Sequence, residues 1–577
     1  MHEQNQYFRT TRLIPQWIRH YPGTHLRSDV VAGIVTAVLV LPQNLAYALL
    51  AGLPPQAGLL VSIFPVIAYA LWGSSMTQAV GPVAITAIVT FSVLSPLAVP
   101  FTAEYAALAA TLALLSGLMV WSFGLLRLGF LSDLLSRPVI SGFISGAAVL
   151  IVISQLRVIL GLDVQGKDSW HLLLATIQNL PQLKWPTTLL GTVSIAILLF
   201  SKYSLGALLK RANVPAKRAD FVVRVTPLLV VLVATVVVVA QDLDTAQGVA
   251  VVGAVTSGLS GFVFFVPDAS AIGALALPAL IVAFIGTIQN IGMAQALAAK
   301  RRERIDPNQE LIGLGTSNVV AAFYGGMPVG GGISRTAVSV AAGAQTPLAS
   351  VIAALFMLLM LGLGLGTTGF ARMPLCVLGA SIVVAAISMI DVGAMRRAWA
   401  YDRADGIALL GTALGVIVVG LQWGIAIGIG LSLASLLYRA STPHIAVMGR
   451  IVGTEHFRNV ERHGVETIPG VVFFRVDESL FFGNLRSIET RLTAEITAKP
   501  GTHHVVLVMS GVNRVDMTAL DALTEIHDDL HKRNIRLHLA EVKGPVQDRM
   551  AHTPLWKSLS GRLYLSCNDA FEALRLR

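Results

Sequence analysis

Long apolar runs recur along this chain from Val30 to about Leu437, some of them short or interrupted. A span needs about 20 apolar residues to cross a ~30 Å hydrocarbon core, and inside that core every backbone N–H and C=O must find a partner within the protein. A chain built this way is restricted to a bundle of membrane helices. The composition agrees. Of 577 residues only 13% are charged and 54% are hydrophobic, with mean hydropathy +0.71, where a soluble domain carries about 25% charged residues. The runs predict about fourteen spans, at 30–51, 57–73, 80–96, 104–124, 138–160, 186–202, 225–241, 277–298, 310–324, 334–346, 348–366, 374–390, 405–420 and 422–438.

A net charge of +10 would suit a nucleic-acid partner, but its distribution argues against one. No Lys or Arg lies between Arg27 and Arg127, or between Arg224 and Lys300. The cations gather at Arg127/Arg137, Lys202/Lys210/Arg211/Lys217/Arg218, Lys300/Arg301/Arg302/Arg304 and Arg396/Arg397/Arg403. Each group follows an even-numbered span. With the N-terminal segment 1–29 in the cytoplasm, all fall on the cytoplasmic side, as the positive-inside rule requires. The expected location is the inner membrane, multi-pass, with both termini cytoplasmic. The first residues are polar and lack the apolar core of a cleavable signal. The run Lys300 to Arg304 reads as a topological anchor or as a contact for anionic lipid. Cys376 and Cys567 lie far apart and give neither a metal spacing nor a disulfide framework. No metal or cofactor is expected, and without a phosphate-binding loop an enzyme finds no support.

Two of the expected spans begin at a break. The third opens at Gly81-Pro82 and the tenth at Gly330-Gly331-Gly332, each being third in its group of seven. Short, Gly/Pro-interrupted segments at matching positions point to a binding site between inverted repeats. Because seven is odd, the second half (277–438) must be inverted relative to the first (30–241). A helix that starts mid-membrane offers free N–H groups and a positive dipole end, which favour an anion. Arg335 follows the second break, and an arginine at that depth costs at least ~2.5 kcal/mol. The pattern reads as an anion site in a transporter. After Arg439 the character changes: strand-like runs at 471–476, 504–510 and 536–540 alternate with helical spacing at 484–497 and 517–533. A small cytoplasmic α/β domain is expected over 445–577.

The chain resembles the sulfate permease anion transporters with a C-terminal STAS domain. The resemblance rests on Leu41-Pro42-Gln43-Asn44-Leu45-Ala46-Tyr47-Ala48, Val80-Gly81-Pro82-Val83-Ala84, Glu310-Leu311-Ile312-Gly313, Gly325-Gly326-Met327-Pro328 and Ser334-Arg335-Thr336-Ala337. In the C-terminal part it rests on Leu480-Phe481-Phe482-Gly483-Asn484 and on the stretch from Met509 to Asp516. It implies an α-helical polytopic fold with a seven-plus-seven inverted repeat, core and gate domains, an elevator-like motion and a homodimer.

Arg335 is read as the counter-charge of the anion, or as an arginine that snorkels to water from the helix end. Ser334 adds a hydroxyl donor to the ligand or caps the helix. Gln43 and Tyr47 lie four apart, hence on one helix face. The resemblance places both beside the substrate, while Gln43 alternatively joins two helices. Val83 lines the pocket or simply packs. Gln289 stands where many bacterial and plant relatives carry an acid, and it cannot ionise. Proton or sodium symport is thereby weakened in favour of exchange or uncoupled uptake, unless Glu104, Asp391 or Asp405 supplies the coupling. The substrate is a small anion: sulfate, bicarbonate, chloride or a dicarboxylate. The rivals are a same-fold nucleobase carrier and a channel-like anion conductor. In the C-terminal domain Met517 and Thr518 follow Asp516, where phosphoryl-accepting relatives carry a serine directly after the Asp. Thr518 reads as a helix cap. His503, His504, His527 and His531 read as surface residues.

Overall fold

Small residues set how closely the membrane helices approach. In the computed structural model, which describes residues 15–19, 21–133, 136–164, 169–253, 267–362 and 371–576, span four (Ala103–Leu125) lies against span nine (Pro307–Phe323). A methyl group added at Gly315 would sit 2.5 Å from the Trp121 backbone nitrogen, and one at Gly117 2.7 Å from that of Val319. With lipid as apolar as the helices, such contact and interhelical hydrogen bonds replace the hydrophobic effect as the force of association. Gly142 does the same between span five (Arg137–Leu160) and span thirteen (Arg403–Val419), where an added carbon would lie 2.2 Å from the Leu409 carbonyl.

Every one of the fourteen expected segments carries helix. Among the described residues, nine helices are long and apolar enough to cross a membrane by length and composition. Spans three (Ala84–Leu94) and ten (Ile333–Ala341) are shorter because they begin at the breaks. Other boundaries moved. Span eight runs over Ala269–Arg301, longer than expected, and span two is split into Pro55–Leu60 and Phe64–Trp72. Span six (Trp185–Phe200) continues through a π-helical turn, Ser201–Leu205, into Gly206–Arg211. The connection after span twelve (Leu375–Ile387) holds a further helix, Val392–Tyr401.

The helices pack in two groups. Spans one (Leu26–Leu50), two, four, eight, nine and eleven (Leu348–Gly362) touch one another, as do spans five, six, seven (Ala216–Ala240), twelve and thirteen. Between the half-helices, two short strands, β1 (Val80–Gly81) and β2 (Gly330–Gly331), pair antiparallel, Val80 with Gly331 and Gly81 with Gly330. This pairing joins equivalent points of the two halves in opposite directions, as inverted repeats demand. It also gives the non-helical backbone at that depth its hydrogen bonds.

The chain divides into two compact units, Met1–Ser432 and Leu433–Arg577. The second contains a six-stranded sheet in the order β4-β3-β5-β6-β7-β8. Its members are β3 (Ile445–Arg450), β4 (Phe457–Asn459), β5 (Val471–Val476), β6 (His504–Val508), β7 (Arg536–Ala540) and β8 (Leu563–Tyr564). β5 to β8 run parallel, with helices Leu485–Ala498 and Met517–Lys532 as crossovers. The sequence pattern had suggested only three of these strands. Two expectations fail here. Asp516, not Thr518, caps Met517–Lys532 by accepting from Ala519 N at 2.8 Å. His527 is no surface residue either: it is buried, and its Nε2 accepts the Ser560 N–H at 3.0 Å. His504 is half-buried, 3.0 Å from the fully buried His538.

Candidate functional site

Each half-helix starts without a side-chain cap. Val83 holds the N-cap of span three in extended conformation (φ −133°, ψ 150°), and Gly332 holds that of span ten (φ −92°, ψ 116°). Neither residue has a side-chain oxygen to spend on the first-turn N–H groups, which are left for another acceptor. The strand pairing brings the two helix starts together, and Val83 and Gly332 line one cavity.

Arg335 lies in the first turn of span ten and is only 6% exposed. Its Nη1 donates to the Val80 carbonyl at 3.3 Å, and its Nη2 to Asn44 Oδ1 and, at 3.5 Å, to the Pro82 carbonyl. Nε has no partner. All three acceptors are neutral, and among the described residues no carboxylate pairs with this guanidinium. A buried cation without a counter-charge is strongly unfavourable. The reach across to the first repeat needs Gly81, where an added methyl group would fall 2.0 Å from Nη1.

A cavity of about 920 Å³ opens at this point and is lined by Gln43, Tyr47, Val83, Gln289, Gly332 and Arg335. Five of the six expected substrate residues thus share one cavity wall. Of Ser334 only the backbone is described, and its side chain lies outside the described residues. Gln43 and Tyr47 do share a helix face, with Gln43 Nε2 donating to Tyr47 Oη at 2.5 Å. Gln289 turns toward the cavity, and its Oε1 is buried without a partner. Gly330 and Gly331 form β2 behind the wall. Of the three carboxylates weighed for coupling, Asp391 lines the cavity, while Glu104 and Asp405 stand in the first turns of spans four and thirteen.

A polar layer behind the wall escaped sequence reasoning. Glu310 is wholly buried and accepts from Tyr69 Oη (2.6 Å), Ser74 N (2.9 Å), Ser74 Oγ (2.7 Å), Ser75 N (2.6 Å) and Asn290 Nδ2 (3.0 Å). Asn290 Oδ1 in turn accepts from Gln78 Nε2 at 2.5 Å, two residues ahead of β1. Glu310 and Asn290 therefore tie spans two, eight and nine to the strand crossing. Asn318 fixes the other strand's approach, accepting from Val329 N at 2.8 Å and donating to its carbonyl at 3.2 Å. The available signal was polar residues inside apolar spans, but nothing in the sequence says which of them meet.

Opposed helix starts around a buried arginine, in a bundle of inverted halves, define a membrane transporter. Comparison with known proteins supplies the particular family. The model of the sulfate permease family matches residues 26–412, and that of the STAS domain matches 464–570. A probable sulfate transporter of Mycobacterium tuberculosis is 34% identical over 564 residues, covering 97% of each chain. The high affinity sulfate transporter 2 of Stylosanthes hamata is 31% identical, over 96% of this chain and 85% of its own. The chain belongs to the sulfate permease family of anion transporters. Among solved structures, the murine solute carrier 26 family member A9 in its inward-facing state shares the fold, with a TM-score of 0.87 over 98% of this chain and 94% of its own, at 23% identity. The transmembrane domain of a cyanobacterial bicarbonate transporter gives 0.59 over 71% of this chain and 98% of its own, at 24% identity.

Proposed function

We propose that this protein carries a small anion, sulfate first among the candidates, held between the starts of spans three and ten. The observation that carries this reading is the Arg335 guanidinium, buried among neutral acceptors where two uncapped helix ends converge. An anion there receives one full charge, two dipole ends and the Gln43 amide. Relatives named as sulfate transporters at 31–34% identity along nearly the whole chain support sulfate as the first candidate. The two helix groups, with the cavity between them, suit an elevator-like motion in which the group bearing the half-helices shifts against the other. Gln289 beside the site cannot take up a proton, which favours exchange or uncoupled movement. The protein works as a homodimer in the inner membrane, among lipid, with both termini in the cytoplasm.

Uptake of labelled sulfate, bicarbonate, chloride and a dicarboxylate into proteoliposomes tests the proposal, with and without proton and sodium gradients. Selective anion uptake that is lost in Arg335→Ala and indifferent to both gradients is expected. Uptake that survives Arg335→Ala would refute the site, and uptake driven by either gradient would refute the inference from Gln289.

A further inference from the structure

The cavity that reaches Arg335 is also lined by Arg137, Lys202 and Arg224. Arg137 and Arg224 belong to spans five and seven. Lys202 lies within the π-helical turn after span six, a distortion that resets the facing of the residues beyond it. All three stand on the helix group opposite Arg335. They form no hydrogen bond or ion pair among the described residues, and the Lys202 ammonium lies 5.4 Å from the Tyr203 ring centroid. Among the described residues lining the cavity, four cations face a single carboxylate, Asp391. It is already engaged, accepting from Ala394 N at 2.7 Å as a helix cap and lying 3.7 Å from Arg397. As topology signals these cations needed only to be near the membrane edge. Facing one cavity is a separate property.

We propose that Arg137, Lys202 and Arg224 form an anion-collecting entry site that selects divalent over monovalent inorganic anions. The inference deepens the transport reading and rests on it. A cleft of one sign of charge between low-dielectric walls focuses its field and raises the local concentration of the opposite ion. That enrichment is exponential in the charge of the ion. A mouth that concentrates a monovalent anion ~5-fold concentrates a divalent one ~25-fold. Arg335 and the helix ends supply the resting place, and the mouth cations supply the bias toward charge. Salt must erase the bias, because the Debye length falls from about 30 Å at 0.01 M to about 3 Å at 1 M.

The test measures KM for labelled sulfate and for bicarbonate in proteoliposomes, at low and at high concentration of a bulky, non-transported sulfonate salt. The proteins are the wild type, the double variant Lys202→Gln/Arg224→Gln, and its charge-restored counterpart Lys202→Arg/Arg224→Lys. At low salt the double variant is expected to raise KM for sulfate about tenfold and for bicarbonate about threefold. The difference closes at high salt, and the charge-restored protein stays near wild type. A structural defect would persist at high salt and weaken both anions alike. Equal KM values at low salt, a salt-independent defect, or an equal effect on the two anions would each overturn the proposal. Its failure is distinct from failure of the transport site: uptake abolished by Arg335→Ala but unmoved by the double variant sinks the entry site alone.

Discussion

Gly81→Ala moves Arg335, the arginine proposed to bind the anion, without removing its charge. The new methyl carbon would lie 2.0 Å from Arg335 Nη1, 2.5 Å from Cζ and 2.9 Å from Nη2. Ordinary carbon contacts sit at about 3.5–4.0 Å, so the guanidinium must retreat by roughly 1.5 Å. It is the free end of a long side chain and can yield, while Gly81 itself holds φ +158°, a conformation L residues rarely adopt, so the site and the local backbone share the cost. The retreat sacrifices the donation to Val80, 3.3 Å long, and the weaker one to Pro82 at 3.5 Å. A hydrogen bond made by a charged group contributes about 1.5–3 kcal/mol. Counting the Val80 bond alone, at 1.4 kcal/mol per factor of ten, the expected loss of anion affinity is about 10- to 150-fold. Concentration-dependent uptake in proteoliposomes measures it, with thermal unfolding of the purified protein run in parallel. Gly292→Ala is the control, since an added methyl group there meets nothing within 4 Å. Unchanged affinity in Gly81→Ala, in a protein whose uptake Arg335→Ala abolishes, would refute the claim that the guanidinium must be held at this crossing.

Glu310→Ala is expected to act on folding before transport. It strips five donors of their acceptor inside the protein, at about 1–3 kcal/mol for each that stays buried and unpaired. A large fall in Tm or in folded yield is expected, and near-wild-type stability would contradict the tie described here. On the loops after span seven and before span twelve, Arg372 donates to Asp244 through Nε at 2.8 Å and to Asp242 at 2.7 Å. The Arg372 hydrogen bond, opposed by burial, holds the Asp244 carboxyl below its ordinary value of 3.8. A carboxylate lowered in the folded state stabilises above its unfolded value and loses that contribution as pH falls through the folded one. Removing the tie with Asp244→Asn should therefore lower Tm at neutral pH, with the gap to wild type closing only under strongly acid conditions. A gap that had already closed near pH 5 would contradict the assignment.

Much of the candidate site can be read along the chain, because its parts are local. Gln43 and Tyr47 share a face through helical spacing alone, and the breaks at Gly81-Pro82 and Gly330-Gly331-Gly332 mark helix starts through backbone chemistry alone. The bilayer made this easier, since it forces apolar spans and makes every polar residue within them conspicuous. Asn44 stood beside a chosen residue and was still missed, because its bond to Arg335 crosses between the two repeats. Glu310 was visible only as a motif letter, its five donors coming from spans two and eight and the turn at Ser74-Ser75. His527 reads as a surface residue because polarity alone does not show that its helix face packs inward, where its Nε2 accepts from Ser560 N.

By itself the sequence determined the helices, their alternating direction, the inversion of the halves and the α/β character of the second unit. These follow from hydropathy, charge and glycine placement, all properties of short stretches. Only the tertiary structure decided that β1 pairs with β2, that Arg335 crosses to Val80 and Pro82, and that Arg137, Lys202 and Arg224 face one cavity. Each of these joins residues far apart in the chain. Which partners meet depends on how whole helices pack, and no local pattern carries that information.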